Sequence, residues 1–145
     1  MKKLLFYAIP FMLATLLLMA CEPEENIKWP EPKNALEGCR WVHEIKDVID
    51  GVTHTTTTHL VFTDGKNMKK TVYNKSSWLG FSEKWTDEDD DFTYRYDGEV
   101  GIIYHNGKYY CDLAYDGETA SPLMIIKQKP AFPAYDTILY ERKKL

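Results

Sequence analysis

From residue 36 onward, apolar and polar positions alternate with a period of two, and Asp-Gly and Asn-Gly pairs break the alternation at short intervals. A period of two sends successive side chains to opposite faces of an extended strand, and these pairs supply the positive φ angles that a two-residue hairpin turn demands. The clearest instance is the stretch from 91 to 117, DFTYRYDGEVGIIYHNGKYYCDLAYDG. Asp97-Gly98 and Asn106-Gly107 predict two hairpins there, and hence three consecutive strands. In the first, Phe92, Tyr94 and Tyr96 share a face opposite Thr93 and Arg95; in the third, Tyr109, Cys111, Leu113 and Tyr115 oppose Tyr110, Asp112 and Ala114. Phe92, Tyr94, Tyr96, Tyr109 and Leu113 are therefore expected to point inward as a set, either as core or as the lining of a ligand pocket.

The same signals extend on both sides. Residues 40–48 read as a strand with Trp41, His43 and Ile45 on one face, and Asp50-Gly51 turns the chain. The threonine-rich run 53–63 follows, where β-branched residues favour extended backbone. Asp64-Gly65 leads to a strand at 68–74, a further strand is expected at 79–85, and the acidic run 86–91 reads as a loop. Residues 123–128 and 137–142 complete the set, separated by a connection whose Pro130 and Pro133 cannot join a ladder. About nine short strands with no amphipathic helix make an all-β domain of antiparallel hairpins. Closing an up-and-down sheet into a small barrel removes its edges, so a barrel is expected, with a β-sandwich as the alternative.

The N-terminus changes the picture from a domain to an exported one. Lys2 and Lys3 precede the apolar run 4–20, which has the form of an export signal and is short for a spanning helix. Leu18-Met19-Ala20-Cys21 resembles the lipobox of bacterial lipoprotein precursors, which implies that residues 1–20 are a signal peptide and that Cys21 is acylated and held on a membrane. Residues 21–35, with Pro23, Pro30 and Pro32 and several acids, read as an extended tether before a domain at 36–145. Glu22, Glu24 and Glu25 resemble the signal that sends Bacteroidetes lipoproteins to the outer face of the outer membrane; a merely solvated acidic linker is the alternative. Together with Leu36-x-Gly38-x-x-Trp41 at the first strand and a closing ILYERKK segment, these features resemble the lipocalin-like lipoproteins of Bacteroidetes. The resemblance implies a barrel with Trp41 plugging a closed end and a cavity for a small apolar or amphipathic ligand at the other.

The formal charge of the 145 residues is −4; removing 1–20 takes away two lysines and no acid, leaving 16 basic against 22 acidic side chains. That balance argues against a nucleic-acid partner, and Arg142, Lys143 and Lys144 read as a solvated tail. Beyond Cys21 the cysteines are Cys39 and Cys111. In an exported protein they form either one disulfide or two buried thiols, and both readings stay open. His54 and His59 are an odd number of positions apart, so a regular strand puts them on opposite faces; with His43 and His105 they make no metal-ligand spacing, and no metal or cofactor is expected. The acids at 87–91 lack the glycine and alternation of a calcium loop. No catalytic motif is present, and Glu83 beside Lys84 and Trp85 reads as a rim ion pair. Two function classes lead: a membrane-anchored, non-catalytic barrel binding a small apolar or amphipathic ligand, or a protein or glycan contact module with a filled barrel and outward Tyr110, Trp78 and Trp85. A hydrolase, needing a polar cluster around His43 or His105, is the third.

Overall fold

The computed structural model describes residues 32–128 and 135–145. The expected signal peptide, Cys21, the tether as far as residue 31 and the connection at 129–134 lie outside the described residues. Eight strands follow one another: β1 (Arg40–Ile49), β2 (Val52–Thr63), β3 (Asn67–Trp78), β4 (Phe81–Tyr96), β5 (Val100–His105), β6 (Lys108–Ala114), β7 (Leu123–Gln128) and β8 (Tyr135–Lys143). Each is antiparallel to its predecessor and β8 returns to β1, closing an up-and-down barrel and excluding the sandwich. At Asp50-Gly51, Asp64-Gly65 and Asn106-Gly107 both residues take positive φ, as the hairpin signals require. Asp97-Gly98 turns differently: only Gly98 is left-handed, and the Asp97 carboxylate accepts from the N–H groups of Glu99 and Val100 at 3.0 and 2.9 Å.

Two expectations fail in the middle of the chain. Residues 81–85 of the strand expected at 79–85, the loop expected at 86–91 and the strand expected from Phe92 are one 16-residue strand, β4, so eight strands close the barrel. The acids can lie in a strand because alternation divides them between faces. Outside, Lys69 Nζ meets Glu88 at 2.8 Å and Asp90 at 3.7 Å; inside, Asp89 meets His105 Nε2 at 2.9 Å. A β-bulge makes that division work: Met68 pairs with Phe92 and Lys70 with Asp89, so Asp90 and Asp91 together oppose Lys69 alone. The turn into β4 is Leu79-Gly80, with φ 41° and 83°, which no turn-forming side chain announces.

A second bulge corrects the aromatic set. Ile103 pairs with Cys111 but Tyr104 with Tyr109, leaving Tyr110 without an opposite number. One extra residue reverses the alternation. Tyr109, expected inside, is therefore 51% exposed, while Tyr110, expected outside, packs against the core. Phe92, Tyr94, Tyr96 and Leu113 do face inward.

The interior at the closed end is filled. Leu36, Trp41, Phe62, Ile103, Leu113 and Leu123 are essentially inaccessible. Trp41 donates its indole N–H to the Leu36 carbonyl at 3.0 Å and meets the Tyr115 ring edge-on at 4.7 Å, so it plugs this end. Residues ahead of β1 seal the floor. The Glu37 carboxylate accepts from the Tyr94 hydroxyl at 2.7 Å, from the Lys33 N–H at 3.0 Å and from the Gly65 N–H, while Asn34 donates to the Tyr94 oxygen at 2.7 Å. Lys33 and Asn34, assigned by sequence to the tether, are thus part of the folded unit.

The wall is uneven in height. β5 pairs with β4 only from Phe92 to Tyr96, and β8 pairs with β1 only at Arg40, Trp41 and Val42. Beyond those levels β1 to β4 run on as a four-stranded sheet, about 23 Å past the β8 seam at roughly 3.3 Å per residue, while β7 and β8 run on past the same seam paired with each other from Leu123 and Tyr140 to Gln128 and Tyr135. The lateral edges of the four-stranded sheet, 43–49 on β1 and 81–90 on β4, carry no neighbouring strand among the described residues.

Candidate functional site

The inner face of this extension continues the barrel interior upward and, among the described residues, meets solvent. Cross-strand register builds it in rows. His43, Thr58, Val72 and Asp87 form the lowest; Ile45, Thr56, Asn74 and Trp85 come next; Asp47, His54, Ser76 and Glu83 follow; and Ile49 with Val52 and Trp78 with Phe81 finish at the two hairpins. The second row is apolar at its two edges and polar between them, the third is polar throughout, and the last is apolar. Ile45, Ile49, Trp78, Phe81 and Trp85 are all exposed, Phe81 at 68% and Trp85 at 47%. Five large apolar side chains are thus grouped on one face of a sheet rather than scattered singly, which makes the face a candidate contact surface.

The polar groups between them are fixed in place. His54 Nδ1 lies 2.9 Å from Ser76 Oγ, and the Thr56 hydroxyl donates to Asn74 Oδ1 at 3.0 Å. Ser76 is buried, held under its neighbours on the same face. At the tip, Leu79 is 95% exposed and left-handed, a conformation that costs a branched side chain about 1 kcal/mol.

Below the extension, the barrel mouth carries a second cluster. Phe92 stacks on His105 at 4.4 Å, and Tyr110 meets Phe92 edge-on at 5.2 Å. Lys127 Nζ donates to the Tyr110 hydroxyl at 2.6 Å and sits 4.4 Å from its ring centre, with Lys70 at 5.9 Å from the same ring. His105 is engaged by Asp89, as described above. His43 Nδ1 lies 2.9 Å from the Leu139 carbonyl, so its proton is on that nitrogen, and it replaces the backbone pairing that ends at Val42. This is a polar, aromatic rim in which the ionic groups answer one another.

Cys39 and Cys111 are free and buried, so no bridge joins them. Burial pushes both thiols up, Cys111 to about 11, with Arg142 moderating the shift at Cys39. His59 stands on the outer face against Tyr73 at 4.7 Å, opposite in sense to His54; burial, then Arg40, lowers its pKa. Among the described residues, no three or more His, Cys, Asp or Glu side chains are grouped to hold a metal ion. Of the outward contact set expected from sequence, Trp78 and Trp85 are exposed and share a face, and Tyr110 is not part of it. Phe81, Ile45 and Ile49 were missed. The signal for them is Trp78-x-x-Phe81 around Leu79-Gly80, which reads as a hairpin only once leucine is allowed a left-handed φ. No protein-family model, curated protein or solved structure matches the chain.

Proposed function

We propose that this chain is a lipid-anchored, non-catalytic glycan contact module, in which the filled barrel is a pedestal and the inner face of the β1 to β4 extension is the working surface. The observation that carries this reading is the placement of Trp78, Phe81 and Trp85, all exposed, on one face with hydrogen-bonding rows between them. Flat aromatic rings stack on the apolar faces of sugars, and oriented polar side chains take the hydroxyls. The lipobox resemblance supports a lipid anchor at Cys21, and the resemblance of Glu22, Glu24 and Glu25 to the Bacteroidetes export signal supports a place on the outer face of the outer membrane. Lys33 and Glu37, among the first described residues, lie at the closed end, opposite the hairpin tips of the extension.

Affinity electrophoresis of the protein through gels containing soluble polysaccharides tests the reading. At least one polysaccharide is expected to retard it, and Trp78→Ala or Trp85→Ala to weaken retardation by about 2 kcal/mol, roughly 30-fold, without lowering thermal stability. No retardation by any polysaccharide, or retardation indifferent to both substitutions, would reject it. A second reading, a small amphipathic ligand, draws on the mouth, where Phe92 and Tyr110 lie beside Lys70 and Lys127. Loss of an apolar probe on Tyr110→Ala but not on Trp85→Ala would favour it.

A further inference from the structure

Building on the glycan-contact reading, we infer that the ligand is an uncharged, oligomeric sugar chain, stacked on the hairpin aromatics and on Trp85 and read between them by Asp47, His54 and Glu83, with Ser76 holding His54 in place.

Charge selects against acidic sugars. The four rows of the inner face hold Asp47, Glu83 and Asp87 and no lysine or arginine. The lysines of the extension stand on the other side, in a single row: Lys46 pairs with Thr55, Thr55 with Lys75, and Lys75 with Lys84. On the inner side the next cation down is Lys70 at the mouth, cross-strand from Asp89. A uronate or sulfate laid on the tryptophans would face carboxylates with no counter-charge in its own rows, whereas neutral hydroxyls find acceptors there.

Spacing selects against single sugars. Phe81 and Trp85 are four residues apart on one strand, about 13 Å along it, which is more than one pyranose ring spans. A monosaccharide reaches one platform only; a chain reaches both and lies across the row between them. That row is ordered in advance. Ser76 is buried and bonded to His54 Nδ1, which leaves His54 Nε2 and the flanking carboxylates of Asp47 and Glu83 for sugar hydroxyls.

Titrating tryptophan emission of the full chain with neutral oligosaccharides from monomer to hexamer, and with oligogalacturonates of matching length, tests the inference. Affinity is expected to rise by at least about tenfold from monomer to tetramer, as the second platform engages, and then to level off. The galacturonates are expected to bind about tenfold or more weakly than neutral chains. Asp47→Asn combined with Glu83→Gln, both at solvent-facing positions, should narrow that gap while weakening the neutral chains. His54→Ala should weaken neutral chains at unchanged melting temperature. Equal affinity for monomer and hexamer, or tighter binding of galacturonates, would overturn the inference while leaving a glycan module in place. Failure of every sugar, alongside Trp85-dependent capture of a protein or of lipid vesicles, would overturn the glycan reading itself.

Discussion

Trp41→Ala is expected to lower the unfolding free energy by about 4 kcal/mol, and the melting temperature by roughly 15 °C for a domain of this size. The indole fills the closed end, with Tyr115 against its ring and the Leu36 carbonyl on its N–H. Its loss opens a cavity that the strands around it cannot collapse into, because their spacing is fixed by ladder hydrogen bonds. Trp41→Phe should recover about half of the loss, keeping part of the ring volume but leaving the buried Leu36 carbonyl with only the weak Cys39 thiol as donor, at 3.7 Å. Chemical denaturation followed by tryptophan emission and far-ultraviolet circular dichroism checks both. Below its lowered melting point the Trp41→Ala protein should still bind at the extension, since the ring and hydrogen-bond partners of the plug, Tyr115 and Leu36, lie outside that face. Simultaneous loss of binding at full foldedness would show that pedestal and working surface are not separable.

Glu37→Ala is expected to cost about 3 kcal/mol, because it strips the acceptor from the buried Tyr94 hydroxyl and from the N–H groups of Gly65 and Lys33. The same site sets an acid limb. Burial acts to raise the Glu37 pKa, but the donors from Lys33, Tyr94 and Gly65, together with the Lys33 charge, prevail and hold it below the ordinary 4.5. A carboxyl whose pKa is lowered by folding contributes stability that is complete above its unfolded value and is lost as pH falls through the folded one. Wild-type stability should therefore decline as pH drops below about 4.5, and Glu37→Gln should decline less steeply over that range. The hydroxyl side of the pair does not titrate nearby, since burial and then the Glu37 charge hold the Tyr94 phenol well above 10. Parallel acid limbs for wild type and Glu37→Gln would mean that Glu37 does not carry the dependence.

Much of this architecture is legible from residue order, and the failures share one cause. Strand existence follows from alternation and from three Asp-Gly or Asn-Gly pairs with the left-handed geometry those residues tolerate, and Trp41 lands where the family resemblance puts it. Parity is another matter. A period-two pattern assumes one residue opposite one residue, and at Asp90-Asp91 and at Tyr110 that assumption breaks. Each bulge moves every later side chain on its strand to the other face, which is why Tyr109 and Tyr110 exchange places and why acids expected in a loop are divided across a sheet. Bulges have no residue signature comparable to a glycine turn. The extension was hidden for a related reason: Leu79-Gly80 is a hairpin tip built from a residue that disfavours the required φ, so β3 and β4 looked shorter than they are. The exposure of Trp78 and Trp85 was foreseen, but not that both belong to the inner face.

Residue-resolved hydroxyl-radical footprinting, with and without a polysaccharide that retards the protein, tests most directly where the molecule works. The predicted result is protection of Trp78, Phe81 and Trp85 on the inner face, with Val100, Met124 and Leu139 on the outer wall oxidised equally in both states. Protection of the outer wall or of the mouth at Tyr110, with Trp78 and Trp85 unchanged, would contradict the account.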